Sequence, residues 1–141
     1  MTEDEFKEFI DKYTFKHYAD LVESTKGCAR FNNLDSSCTD VGYVYLWVEK
    51  NKNDLKIVYV GKAGKTMRDR CNQHSGGFNG GSGTGNKHSK NIIDGIKKGK
   101  TYHVYARKSE KCEILGEKNI PMSCIEEIAF RQKIKPPWNS I

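Results

Sequence analysis

Hydrophobic side chains recur at two spacings along this chain, and the changes of spacing mark its elements. Between residues 3 and 24, Phe6, Phe9, Ile10, Tyr13, Tyr18, Leu21 and Val22 repeat at helical intervals, with Thr2 and Glu5 placed as a capping box. The pattern predicts one or two helices. Residues 25 to 40 follow neither period and are rich in turn formers, so they read as a loop. From Gly42 the pattern becomes β-type. Residues 42 to 48 and 55 to 60 are dominated by β-branched and aromatic side chains, and 50 to 54 between them read as a hairpin loop. Thr66 and Asp69 then open a helix on which Arg70 and His74, four apart, share a face.

A glycine-dominated stretch follows at 75 to 86, longer than an ordinary connection in a compact domain. It reads equally as a mobile loop that approaches phosphates closely or as a plain flexible linker. Residues 89 to 98 place Ile92, Ile93 and Ile96 on one helical face, with Gly99 as the stop. Tyr102, Val104 and Ala106 alternate with His103, Tyr105 and Arg107, which predicts a third strand, and 112 to 115 are its suggested partner. In the last helix Ser123 and Glu126 have capping-box spacing. The sum is an α/β domain with a small antiparallel sheet flanked by helices.

The chemistry lies where these elements meet. Two neighbouring strands carry tyrosines beside glycines, and the helix after them adds a guanidinium and an imidazole. Alternation sends Tyr43, Tyr45 and Trp47 to one face, so pattern alone leaves Tyr43 and Tyr45 as alternatives. Glu127 precedes Phe130 and Ile134 by three and seven residues, which puts its carboxylate on an apolar helix face. An unpaired charge there is costly, so it needs a metal ion or an arginine, Arg131 at i+4 being the local choice.

Taken in order, Gly42-Tyr43-Val44-Tyr45, Tyr59-Val60-Gly61-Lys62, Arg70 and the spaced Glu127, Pro136 and Asn139 resemble the motifs of the GIY-YIG nuclease family. Tyr105-Ala106-Arg107 and the ending Pro136-Pro137-Trp138-Asn139 are similar to its phage and type II restriction members. The likeness runs over residues 41 to 141 and leaves 1 to 40 as an N-terminal helical extension and loop. The first motif departs from the family's Gly-Ile-Tyr or Gly-Val-Tyr, and one extra residue separates Gly61 from Arg70.

The resemblance implies a GIY-YIG fold and catalysis by Tyr45, Tyr59, Arg70, His74 and Glu127, with Gly61, Lys62 and Asn139 in support. Tyr45 is preferred to Tyr43 because apolar residues follow it. Glu127 would hold Mg2+ or Mn2+, Arg70 would clamp phosphate, and a tyrosine would help deprotonate water with Lys62, Arg70 and His74 as assisting cations. The implied activity is metal-dependent endonucleolytic hydrolysis of double-stranded DNA, of the restriction type. A structure-selective, repair or phage DNA-degrading nuclease and a non-catalytic nucleic-acid-binding module are the alternatives.

Charge changes the picture in one respect. Residues 1 to 25 carry seven acids against three lysines, a net −4, so the other 116 residues carry +10 to give the total of +6. A basic body suits phosphate neutralisation. The DNA-contact candidates are Lys65, Arg68, Lys87, His88, Lys90 and Arg107. Five cysteines without metal-ligand spacing favour free thiols. An acidic start and the lack of any membrane-length apolar run suggest an intracellular protein, and the resemblance suggests a prokaryotic or phage source. A chain with one active site would cut both strands as a homodimer or higher oligomer, with the N-terminal apolar face as the proposed contact.

Overall fold

A computed structural model describes residues 1–140. A short helix α1 (Glu3–Lys12) leads into strands β1 (Lys16–Glu23), β2 (Ala29–Asn32), β3 (Tyr43–Asn51) and β4 (Asp54–Ala63). Helix α2 (Met67–Gly76), a wide turn (Gly77–Gly81) and α3 (Gly83–Lys97) follow, then β5 (Thr101–Lys108), the hairpin β6 (Lys111–Ile114) and β7 (Glu117–Pro121), α4 (Ser123–Ile134) and a terminal turn (Pro137–Ser140). Five strands make one antiparallel sheet in the order β2-β1-β5-β3-β4. Each sheet face buries its own core.

One face packs Tyr45, Trp47, Tyr102 and Val104 against Met67, Cys71, Phe78 and Ile92 from the α2 to α3 region. The other packs Val44, Leu46, Val48 and Val60 against Phe6 of α1 and Phe130 of α4. Neighbouring residues of β3 feed opposite cores, which is why the strand is apolar at successive positions. Among the described residues no helix is long and apolar enough to cross a membrane.

The hairpin of β3 and β4 and the helix α2 stand where the pattern placed them. Thr2 caps α1 with a reciprocal Glu5 contact, and Thr66 Oγ1 accepts from Asp69 N at 3.2 Å to cap α2. The N-terminal region differs from the sequence reading. The helix stops at Lys12, Thr14 takes φ of +60°, and residues 16 to 23 form a strand paired with β5. The loop expected at 25 to 40 contains β2. Tyr18, Leu21 and Val22 fit helical spacing, yet a register shift between His17 and Ala19 lets a strand bury Tyr18, Ala19 and Leu21. Residues 1 to 40 therefore supply α1 and two strands of the central sheet, and are not a purely helical extension outside it. Phe6, Phe9 and Ile10 pack on the second core, so the apolar face of α1 is already covered.

The glycine-rich stretch is no long loop: it comprises the end of α2, the wide turn and the first turn of α3. A Cβ on Gly85 would stand 2.5 Å from the Gly77 carbonyl carbon, so glycines here let α3 cross the preceding turn at backbone contact. Residues 112 to 115 pair with β7 and not with β5, whose two edges are taken by β1 and β3.

Deleting residues 1 to 25 should abolish cooperative urea unfolding, because it removes β1 and opens the β5 edge. A truncated chain that retains a full-amplitude, two-state transition would show that the segment is dispensable to the sheet.

Candidate active site

Tyr45 is the third residue of β3, its register partner on β4 being Gly61. A Cβ on Gly61 would lie 2.4 Å from the Tyr45 phenol oxygen, so the ring can lie across the strand only over glycine. Tyr59, two residues earlier on β4, points to the same face, with ring centroids 6.2 Å apart. Helix α2 lies above them and lowers two side chains one turn apart. His74 Nε2 is 2.5 Å from the Tyr45 hydroxyl, and Arg70 Nε donates to that hydroxyl at 3.2 Å. The guanidinium also interacts with Tyr59, and its Nη1 donates to Gln73 Oε1 at 2.8 Å. Beside Arg70 opens a cleft of about 240 Å³ that Lys65, Thr66 and Gln73 help to line.

Burial sets the protonation of this cluster. Burial, and after it the neighbouring Tyr59, pushes the Tyr45 phenol well above its usual range, while Arg70 opposes. Burial also drives His74 down to about 3, with the charge of Arg70 and then His88 adding to it. A protonated phenol therefore donates to a neutral imidazole. His74 is thus no assisting cation, in contrast to the sequence reading, because the pocket that fixes it excludes its charge.

Lys62 belongs to the other side of β4. Its register partner is Val44, whose side chain feeds the second core. Its Nζ lies 2.8 Å from Cys124 Sγ on α4. That contact, and then Glu127, raises the Lys62 pKa, whereas Arg70 works against the rise. Lys62 thus feels charges from both halves of the site across the sheet's outermost strand. Glu127 is largely covered and lies 3.5 Å from Arg131 Nη1, the i,i+4 partner. Among the described residues Glu127 belongs to no group of three carboxylate, histidine or cysteine side chains close enough to share an ion. A carboxylate donor suits a hard divalent ion that keeps most of its own water, and no soft one.

Glu126 is equally covered, but its partners differ. Its Oε1 lies 3.2 Å from Arg107 Nε, a close ion pair without hydrogen-bond alignment, and its Oε2 accepts from Glu110 N at 2.9 Å. Helix α4 has no side-chain N-cap, so the capping role read from Ser123 and Glu126 is replaced by this ion pair. Arg107 also donates to the Tyr13 carbonyl and lies over the Phe130 ring, and is therefore committed inside the protein instead of facing DNA. His88 is buried too, its Nε2 donating to the Trp138 carbonyl at 3.2 Å and its ring 5.1 Å from Tyr59. Lys65, Arg68, Lys87 and Lys90 are exposed.

Tyr43 is excluded from the cluster because its hydroxyl accepts from Asp40 N, in the loop before β3. Asn139 accepts from Val60 N at 2.8 Å and donates to Val60 O at 2.7 Å, a two-point clamp on β4. Sequence reading missed two members. Trp47 stacks on Tyr59 with centroids 4.4 Å apart, and its signal was its place two residues after Tyr45 on the same face. Gln73 braces Arg70 from i+3 on the exposed helix face.

A mixed sheet-and-helix domain with paired tyrosines, an arginine-bearing helix and a later glutamate is a GIY-YIG nuclease-like architecture. The chain is similar to a mutant form of the bacteriophage T4 protein EndoII, at 25% identity and a TM-score of 0.70, over 94% of this chain and 97% of that one. It also shares its fold with the restriction endonuclease HPY188I in complex with product DNA, at 16% identity and a TM-score of 0.52, over 94% and 79% of the two chains. No protein-family model matches the sequence, and comparison with curated protein sequences finds no match.

The fold favours neutral His74, so its stabilising contribution is complete above the unfolded pKa near ~6.5 and is lost as pH falls towards about 3. The loss should run at up to about 1.4 kcal/mol per pH unit. Urea unfolding measured from about pH 7 to about pH 4 should show this slope, flattened in His74→Gln. Gly61→Ala should displace the Tyr45 ring and cost roughly 1–3 kcal/mol in the same assay, whereas an unaltered midpoint would contradict the packing described.

Proposed function

We propose that this chain is a metal-dependent endonuclease that hydrolyses phosphodiester bonds in double-stranded DNA. The observation that carries the reading is the Arg70 guanidinium, held against both phenols at the mouth of a cleft. A guanidinium fixed in a partly dry site is suited to the charge that grows on phosphorus-bound oxygens in the transition state. The exposed Lys65, which lines the same cleft, together with the exposed Arg68 on α2 and Lys87 and Lys90 on α3, suits contact with the DNA backbone.

In this mechanism Tyr59, less buried than Tyr45, holds the attacking water, while Tyr45 keeps its proton and fixes Arg70 and His74. Glu127 would hold Mg2+ or Mn2+, which when bound neutralises and stabilises the leaving oxygen. Asn139 holds β4, and with it Tyr59, against the terminal turn. Lys62 supplies positive charge on the Glu127 side of the strand.

A non-catalytic DNA binder is disfavoured because a carboxylate near phosphate opposes binding unless a cation sits between them. Restriction-type cleavage is the first setting proposed. A phage-type nuclease is the second, favoured by the fuller overlap with EndoII. Concerted cleavage of both strands would use two copies of the chain related by the two-fold symmetry of duplex DNA.

Incubation with plasmid and Mg2+ or Mn2+, followed by end mapping, tests the proposal. Discrete bands indicate a recognition site, a smear indicates relaxed specificity, and intact plasmid would reject the nuclease reading. EDTA should abolish cleavage. Arg70→Ala should slow turnover by at least about 100-fold with a smaller loss of binding.

Glu127→Gln should remove cleavage while folding and DNA binding persist. Glu126→Gln should instead lower stability by about 1–3 kcal/mol, through Arg107 and Glu110 N, and leave the chemical step intact. Single-turnover rates and urea midpoints separate the two. The opposite pattern would assign the metal to Glu126.

A further inference from the structure

On the sheet face opposite the Tyr45 phenol, a second group of side chains converges. His17 and Asp20 stand three positions apart on β1, which in a regular strand sends them to opposite faces. The register shift between His17 and Ala19 absorbs Tyr18 into the first core and returns His17 to the side of Asp20. His103 is the direct partner of Asp20 on β5 and alternates with the buried Tyr102 and Val104, so it shares that side. Asp20 Oδ1 lies 2.8 Å from His17 Nε2 and 2.7 Å from His103 Nδ1.

We propose that His17, Asp20 and His103 form a binding site for a zinc-type divalent cation, separate from the metal proposed at Glu127 and independent of whether the chain cleaves DNA. Among the described residues this is the one group of three histidine, cysteine or acidic side chains with ligand atoms all within 4.8 Å of one another. Two imidazoles and one carboxylate, with water completing the shell, select a borderline ion such as Zn2+ over the hard Mg2+. The second nitrogen of His103 is already held. Its Nε2 is 2.9 Å from Thr101 Oγ1, a hydroxyl that can accept Nε2–H and so leave the Nδ1 lone pair for the ion. The His17 ring is braced edge-on against Tyr105, with centroids 5.5 Å apart.

Metal bonds of about 2.0–2.1 Å at tetrahedral angles separate ligand atoms by about 3.3 Å. Binding therefore moves the Asp20 carboxylate back by roughly half an ångström from each ring nitrogen, and sets the two ring nitrogens, which lie within 4.8 Å of each other, at the same spacing. All three side chains are partly exposed, which gives the carboxylate freedom to move and water access to the ion. In the strand order, β5 and β3 separate β1 from β4, the strand beside Glu127. A bound ion would cross-link β1 to β5 and therefore act on the stability of the sheet.

The test uses the full chain, stripped of metal by EDTA and dialysed into excess Mg2+. Calorimetric titration with Zn2+ should show one equivalent bound at this cluster. Zn2+ at a hundredfold excess over Kd should favour the folded state about 100-fold, raising Tm by several degrees. His17→Gln and His103→Gln should each weaken binding at least tenfold and remove most of the Tm rise, and Thr101→Ala should weaken it by about 10–100-fold. Glu127→Gln should bind zinc as the parent does.

Histidine ring resonances of the unmodified protein provide a readout that does not depend on folding of the variants. Those of His17 and His103 should shift on adding one equivalent, with those of His74 and His88 unchanged. No stoichiometric binding by the folded parent, or binding undiminished in the His17→Gln, His103→Gln double variant, as a thiol site would give, overturns the proposal.

Discussion

The contact on which the site depends is the hydrogen bond between the hydroxyl of the buried Tyr45 and Nε2 of the half-buried His74. It joins β3 to α2, and Arg70 completes it from one turn away on the same helix. Because burial disfavours charge on both partners, the phenol keeps its proton and the imidazole stays neutral. The arginine is consequently the cation of this cluster, fixed by two phenols and a glutamine before any ligand arrives. Fixing it in advance removes the cost of ordering a long side chain during reaction. Gly61 makes this possible from beneath, since any side chain there would occupy the space of the Tyr45 ring.

How much of this was legible in the sequence varies with the range of the determining contact. The β3 to β4 hairpin, the Thr66 cap and the shared face of Arg70 and His74 are local features, and local pattern placed them correctly. Strand β1 was read as helix because its apolar spacing fits a helix as well as a bulged strand, and only pairing with β5, some eighty residues away, decides between them. The glycines of 75 to 86 suggested a loop because intrinsic propensity counts each one against helix. Their use is the backbone contact between Gly77 and Gly85, which no single-position preference can express.

Glu126 and Glu127 illustrate the same limit at the site itself. Helix periodicity turned both inward to a similar degree, so burial alone does not distinguish them. The distinction comes from Arg107, on a distant strand, which occupies Glu126 and leaves Glu127 with a more exposed partner. Arg107 and His88, read as basic residues facing DNA, are held inward for the same reason: their contacts, with Tyr13, Phe130 and Trp138, are all remote in sequence. Charge counted along a chain measures the field a nucleic acid would meet, but not which cations it would touch.

The clamp of Asn139 on Val60 has a further consequence for how the protein lives with itself. Strand β4 is the last of its sheet, and its outward amides and carbonyls would otherwise invite the strand of another molecule. A side-chain amide that accepts from Val60 N and donates to Val60 O satisfies both groups as a neighbouring strand would, without offering a new edge. Trp138, packed against His88 and Tyr102, anchors the turn that presents it. The C-terminal turn therefore closes one position of that edge to a foreign strand at the same point where it holds the strand of Tyr59.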